Sequence, residues 1–147
     1  CLYISDDCWI NVVSSSFNGG IYIDKKAHVL IQNSSFNRMI AVNKAKITLS
    51  NTVVLAHADF QDNVSCTARR VTFNGDSDYQ YFLALSGNAK LDGHDLILNS
   101  NGADMAVQDD AHLSTSVLAS EDASLKVECN KKPNVHILGL KWTAKRK

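Results

Sequence analysis

The sequence predicts an all-β protein, a single-stranded parallel β-helix (solenoid) of about seven coils with 18–25 residues per coil, and three observations carry that reading. A small or apolar residue is followed nine positions later by an aromatic or branched aliphatic one, five times over: Cys8/Phe17, Ala27/Phe36, Ala45/Val54, Val64/Phe73 and Ala89/Leu98. Between the members of each pair the apolar residues alternate, as in Ala27, Val29, Ile31 and Ala45, Ile47, Leu49, which is the period of a strand with one buried face. The units from Cys8 to Ala27 to Ala45 to Val64 are 19, 18 and 19 residues long, too short for a helix pair and suited to one turn of a strand solenoid. A β-sandwich also spaces its strands regularly, but nothing in it would hold a nine-residue offset constant.

Each coil can be followed in order. An alternating strand opens it, and a polar position then bends the chain, filled in turn by Ser14, Asn33, Asn51, Arg70 and Asp95. Three residues later an apolar side chain returns, and a second alternating run follows, as in Ile21-Tyr-Ile23, Ile40-Ala-Val42, Tyr81–Leu85 and Met105-Ala-Val107. Stacking the coils about 4.8 Å apart turns columns of sequence into columns in space. Phe17, Phe36, Val54, Phe73 and Leu98 form one interior ladder, and Ala27, Ala45, Val64, Ala89 and Ala111 another at a tighter corner. Asn33 over Asn51 is expected to make a short amide ladder, each side chain donating to the next coil. His28, Lys46, Ser65, Lys90 and His112 share an outward column that Trp9 heads. The solenoid is expected over residues 1–142, with Trp142 folded over the last coil as a cap, and residues 143–147 as a basic tail.

Composition excludes several function classes. At 147 residues the chain makes one domain, and 15 Lys plus Arg balance 15 Asp plus Glu, so no global field draws it to nucleic acid or anionic lipid. No apolar run approaches the ~20 residues of a transmembrane helix. With no phosphate-cradling glycine loop, no Cys-x-x-Cys and no His-x-x-x-His, neither a cofactor nor a metal site is expected. Cys8 and Cys66 fall three coils, about 14 Å, apart, beyond the ~7 Å reach of a disulfide. Both are expected as packing residues, and only Cys1 with Cys8 is locally possible as a bridge. The chain does not begin with Met and reads as a processed form or an excised fragment; a cysteine at position 1 suits a lipoprotein.

The repeat is broken at one corner. The gap from the Phe column to the next Ala column is 10, 9 and 10 residues, then 16 and 13, so additions fall in consecutive coils at Asn74–Tyr81 and Asn99–Asp104. Insertions gathered on one side of a solenoid commonly form its binding surface. Asp76, Asp78, Tyr79 and Tyr81, with Asn99, Asn101 and Asp104, supply carboxylates, amides and flat amphipathic rings suited to hydroxyl-rich ligands such as glycans, or to a protein partner. The preceding coil places His57, Asp59 and Asp62 at or just after this corner. A catalytic version would pair Asp59 with Asp76 or Asp78 as acid and base or nucleophile, about 5 Å apart for retention or 6.5–9.5 Å for inversion of a glycosidic bond. The plainer reading is turn chemistry, since Asn-Gly-Asp and Ser-Asn-Gly are ordinary turn sequences.

Laid out as coils, the segment from Cys8 to about Val127 resembles the right-handed parallel β-helix superfamily, the pectin-lyase-like fold of pectinases, phage tailspikes and bacterial autotransporter passengers. The resemblance rests on the alternating strands, the Asn33/Asn51 turn column and the Phe ladder, and it implies a right-handed solenoid. Hydrolases of that superfamily carry an Asn-Thr-Asp, an Asp-Asp and a Gly-His-Gly on one sheet. Gly93-His94-Asp95 and Asp109-Asp110 match these only in fragments, and the first element is missing. The expectation is therefore a noncatalytic, secreted or bacterial cell-surface module, adhesin-like or spike-like, that recognises a glycan or protein at the corner insertions. A small or truncated polysaccharide hydrolase or lyase, and a purely structural segment of a larger chain, are the alternatives. Open strand edges at the coil ends also invite end-to-end association.

Overall fold

The computed structural model describes residues 2–145, and it is a parallel β-solenoid of about eight turns with no α-helix. Each turn has three faces. Face A comprises Trp9–Val13, His28–Gln32, Lys46–Ser50, Ser65–Arg69, the first halves of Lys90–Asn99 and His112–Ala119, and Val135–Leu138. Face B is short: the starts of Ser35–Ala41 and Val53–Phe60, then Thr72–Asn74 and the second halves of Lys90–Asn99 and His112–Ala119. Face C comprises Leu2–Ile4, Gly20–Ile23, the ends of Ser35–Ala41 and Val53–Phe60, Tyr81–Leu85, Asp104–Val107, Ser124–Cys129 and Lys141–Lys145. All the pairings are parallel. The turn count exceeds the repeat count because Leu2–Ile4 and Lys141–Lys145 add face C strands that lie outside the nine-residue pattern.

The expected columns are present. Phe36, Val54, Phe73 and Leu98 lie in register and are fully buried, while Phe17 at the outer turn is only half-buried. Ala27, Ala45, Val64, Ala89 and Ala111 stack at the corner between faces C and A. The carbonyls of the first four accept hydrogen bonds from the coil above, as in Lys46 N to Ala27 O at 2.9 Å and His112 N to Ala89 O at 2.9 Å. A small side chain is needed there because the backbone turns sharply.

The bend between faces A and B follows a different physical rule from the one expected. Ser14, Asn33, Asn51, Arg70 and Asp95 all adopt left-handed backbone, with φ of 51°, 50°, 48°, 54° and 55°. Asn33 and Asn51 are exposed, and it is the backbone that bridges the coils, Asn33 N donating to Ser50 O at 3.0 Å and Asn51 N to Arg69 O at 3.1 Å. One left-handed residue turns the strand without a loop, and Asn tolerates that conformation better than most residues. The expected Asn33/Asn51 side-chain ladder is therefore replaced by a ladder of left-handed backbones. Hydroxyls do the buried polar work beside it: Ser34 Oγ donates to Gln32 O at 2.8 Å and accepts from Ser15 N at 3.1 Å, and Thr52 Oγ1 donates to Ser50 O at 2.9 Å.

A second left-handed column, Asp6, Lys25, Asn43, Asp62, Gly87 and Asp109, marks the corner between faces C and A. At Gly87 (φ 65°) an added Cβ would meet Asp62 N at 2.9 Å, so the coils here are in near contact. Cys8, Cys66 and Cys129 are free thiols. Cys66 is buried, which pushes its thiol pKa up, and Cys8 Sγ donates to Ser5 O at 3.1 Å. The suggested Cys1–Cys8 bridge involves a residue outside those described, as do Arg146 and Lys147 of the basic stretch. The final strand runs through Lys145, into the segment expected as a tail, and Trp142 lies within it, paired with Leu125 and half-buried against the core.

Two stability outcomes follow. Phe73→Ala removes a fully buried ring from mid-ladder and is expected to cost about 3–5 kcal/mol. Phe17→Ala, at the half-buried outer turn, is expected to cost less than half as much in the same urea titration. Equal losses would mean that the ladder does not gain strength from being enclosed by neighbouring coils.

Candidate functional site

The corner between faces B and C is where the coils differ most. In the early coils the chain runs through it as one strand, Ser35–Ala41 and then Val53–Phe60, with only a register shift near Phe36. Loops at residues 75–80 and 100–103 then bulge from the same corner, as the insertions implied, and a third at residues 120–123 sits above them. The third loop is as long as the second, since Ile97 to Met105 and Ala119 to Val127 both span eight residues, but the nine-residue pairs end at Leu98 and the spacing rule did not reach it.

These loops are built on one another. Asp76 Oδ1 accepts Asp78 N at 2.9 Å and Asp76 O accepts Tyr79 N at 2.9 Å, closing the first loop on itself. Gly75 N donates to Asn99 O at 2.7 Å, and a Cβ on Gly75 would fall 1.9 Å from Ser100 O, so only glycine fits between the first two loops. Asn99 Nδ2 donates to Asn74 Oδ1 at 2.9 Å while Asn99 Oδ1 accepts Glu121 N at 2.9 Å, an amide ladder through three coils. Asn101 Nδ2 reaches Gly75 O at 3.2 Å, and Asp122 accepts both Ser100 N and Ser100 Oγ at 2.8 Å. Among the proposed site residues, then, Asp76, Asn99 and Asn101 hold the loops in register.

The remaining residues gather where the loops meet face C. The Tyr79 ring stacks on His57, centroids 5.2 Å apart and planes 5° from parallel, and His57 Nδ1 lies 2.6 Å from Tyr81 O, to which it donates. Tyr81 Oη donates to Glu128 Oε2 at 2.5 Å across the intervening strand Asp104–Val107, and Gln80 Nε2 donates to the same phenol at 3.0 Å. Glu128 is buried on an outward row of the sheet, and that hydrogen bond, followed by burial and the charges of Glu128 and then Asp104, pushes the Tyr81 phenol up to about 12. Lys145 Nζ donates to Asp104 Oδ2 at 3.3 Å, again bridging strands two apart. Asp78 is exposed at the loop tip. Next to these residues a hollow of about 250 Å³ opens between Ser100, Asp104, Asp122 and Lys126.

The acids considered for catalysis are distributed differently. Asp59 lies on face C in register with Ala84, its Oδ2 accepting Gln61 Nε2 at 2.8 Å, while Asp76 is directed into its own loop. Asp62 sits one corner further on, in the left-handed column, where its carboxylate accepts Asn43 N at 3.0 Å. Gly93-His94-Asp95 lies at the bend between faces A and B and Asp109-Asp110 at the corner between C and A, so these superfamily-like fragments do not meet. Glu128, Gln80 and Lys145 were not foreseen: the partners of Glu128 and Lys145 lie two coils away, where no local sequence signal reaches, and Gln80, though adjacent to Tyr81, carries no mark of its bond to the phenol.

A wider, shallow groove of about 610 Å³ follows the corner between C and A, bordered by Asp6, Asp7, Lys25, Lys26, Lys44 and Asp62. One ion pair and one backbone hydrogen bond engage charges along it, Lys25 with Asp6 at 2.9 Å and the Asp62 carboxylate with Asn43 N. The Lys25 N–H together with the Asn43 amide hold the Asp24 carboxyl below the usual carboxylate range. Among the described residues no group of three or more His, Cys, Asp or Glu could hold a metal ion, and no helix is long and apolar enough to cross a membrane. No family model matches the chain, and neither a curated protein nor a solved structure is significantly similar to it.

The Tyr81–Glu128 bond makes a pH-dependent expectation. Folding favours the neutral phenol, so this contribution is complete below pH 10 and is lost as pH rises from 10 through about 12. Tyr81→Phe strands a buried carboxylate and is expected to cost about 1–3 kcal/mol at pH 8. The gap between wild type and variant, measured by urea unfolding, should close towards pH 12. A gap that persists unchanged at high pH would show that the phenolic proton contributes nothing.

Proposed function

We propose that this protein is a noncatalytic recognition module, a rigid β-solenoid that presents the corner between faces B and C to a glycan or protein partner at a cell surface or outside the cell. One observation carries the reading: the corner's acids and amides are engaged in holding the loops, while its aromatic pair, Tyr79 on His57, stays half-exposed beside the free carboxylate of Asp78. A flat ring flanked by hydrogen-bonding groups suits a pyranose face, which offers C–H groups to the ring and hydroxyls to the rim. Catalysis on a glycosidic bond requires two carboxylates free to face one substrate. Asp76 and Asp59, which that mechanism would use, each already accept a hydrogen bond from within their own segment. The rigidity of the stacked loops favours recognition for a further reason, since a preformed surface loses little entropy on binding.

The test is a glycan array probed with the wild-type chain and with an Asp78→Ala/Tyr79→Ala variant, followed by a reducing-end assay on every hit. Both substituted side chains lie at the loop surface and carry none of the loop-to-loop hydrogen bonds, so the variant is expected to fold. Binding that falls at least tenfold in the variant, with no product released, supports recognition at this corner. Released product would make the chain an enzyme, and absence of any hit would favour a purely structural solenoid.

A further inference from the structure

The zero net charge of the chain conceals a segregation that only the coil register reveals. The outward rows of face A carry Lys46, Arg69 and Lys90, and four of the five histidines, His28, His94, His112 and His136, against a single acid, Asp92, out of 15. Among the described residues, the three cations of face A form no ion pair with Asp92 or with any other acid, so their charge stays open to a partner. The same face bears exposed apolar groups at both ends: Trp9 (78% exposed) and Val13 (51%) on the first strand, Leu138 (72%) on the last. Trp9 stands stacked against His28, ring centroids 4.0 Å apart, above an open hollow of about 400 Å³ that reaches Lys46 and Thr67. With seven strands about 4.8 Å apart, the face is roughly 30 Å long.

We propose that face A docks on the surface of an anionic lipid bilayer, its cations and histidines against the headgroups and Trp9, Val13 and Leu138 entering the interface at the two ends. Charge complementarity selects an anionic partner. The apolar ends select a bilayer over a soluble polyanion, which would satisfy the charges and leave a tryptophan and a leucine in water; a membrane interface takes both, with Trp at headgroup depth. The charged groups facing the four histidines are few. His28 lies between Trp9 and Lys46, and His94 beside Arg69 and Asp95 with Asp92 two residues away. His112 lies beside Lys90 and close to Asp110, which Lys131 already engages, and His136 is in register with Ser114, one coil beyond Asp92.

The experiment is co-sedimentation of the full chain with phosphatidylcholine vesicles, with and without phosphatidylserine. The expected result is phosphatidylserine-dependent binding. A Lys46→Ser/Arg69→Ser/Lys90→Ser variant should lose affinity by about fivefold per charge removed. A control variant with the same charge change elsewhere, Lys126→Ser/Lys132→Ser/Lys141→Ser, should lose less than fivefold in total. Trp9→Ser/Leu138→Ser should weaken vesicle binding by about tenfold while leaving its dependence on phosphatidylserine. All these side chains are exposed, and far-UV circular dichroism checks that each variant is folded. Equal binding to both vesicle types, or equal losses in the two triple variants, overturns the proposal. Retention on a heparin column without vesicle binding overturns it in favour of a soluble polyanion.

Discussion

Parallel pairing between successive coils is the constraint on which everything else in this molecule depends. Each coil hands its backbone N–H and C=O groups to the coils beside it, through the corners as well as the strands. Lys46 N to Ala27 O, Ser65 N to Ala45 O and Lys90 N to Val64 O continue the ladder where other folds would have loops. Keeping that ladder unbroken around a closed turn requires sharp bends of fixed length. The two left-handed columns supply them, one through Asn33, Asn51 and Arg70, the other through Asn43, Asp62 and Gly87. Arg70 has no preference for that conformation and adopts it because the coils on either side already do.

Once the register is set, each side chain sits over its counterpart about 4.8 Å away, and like charges in one row repel across that distance. The arrangement of charges answers that cost. At the corner between C and A, Lys25 lies over Asp6 and Lys131 over Asp110. On face A, Ser65 separates Lys46 from Lys90, and Arg69 projects from a different row. Cations can therefore collect on one flat face without becoming immediate neighbours. The same geometry lets long side chains reach over a strand, and Tyr81–Glu128 and Lys145–Asp104 use that reach to tie the last face C strands together.

The loops at the corner between B and C obey this logic too. An insertion leaves the solenoid ladder and must find partners for its own polar groups, so each new loop borrows them from the one beneath. Asn99, Ser100, Asn101 and Asp122 are spent in that way. What is left over, Asp78 and the Tyr79–His57 pair, is free for a ligand because loop closure and stacking had no use for it.

The periodic sequence determined the fold class, the Phe ladder, the alanine corner and the outward column from Trp9 to His112, because a solenoid reads the same rule at every coil and five repetitions make it legible. It marked Ser14, Asn33, Asn51, Arg70 and Asp95 as the bend, and it located the first two of the three corner loops. Which polar groups stay free was decided by tertiary structure alone. Asn33 and Asn51 look like ladder amides, yet the working amide ladder is Asn74 to Asn99, formed where inserted loops need partners. Glu128 lies 47 residues from the tyrosine that covers it, at a separation set by two coils that each carry an inserted loop, and no local spacing encodes such a contact. Burial follows from the period of the chain, whereas the hydrogen bonds that engage or release a functional group depend on loops that break it.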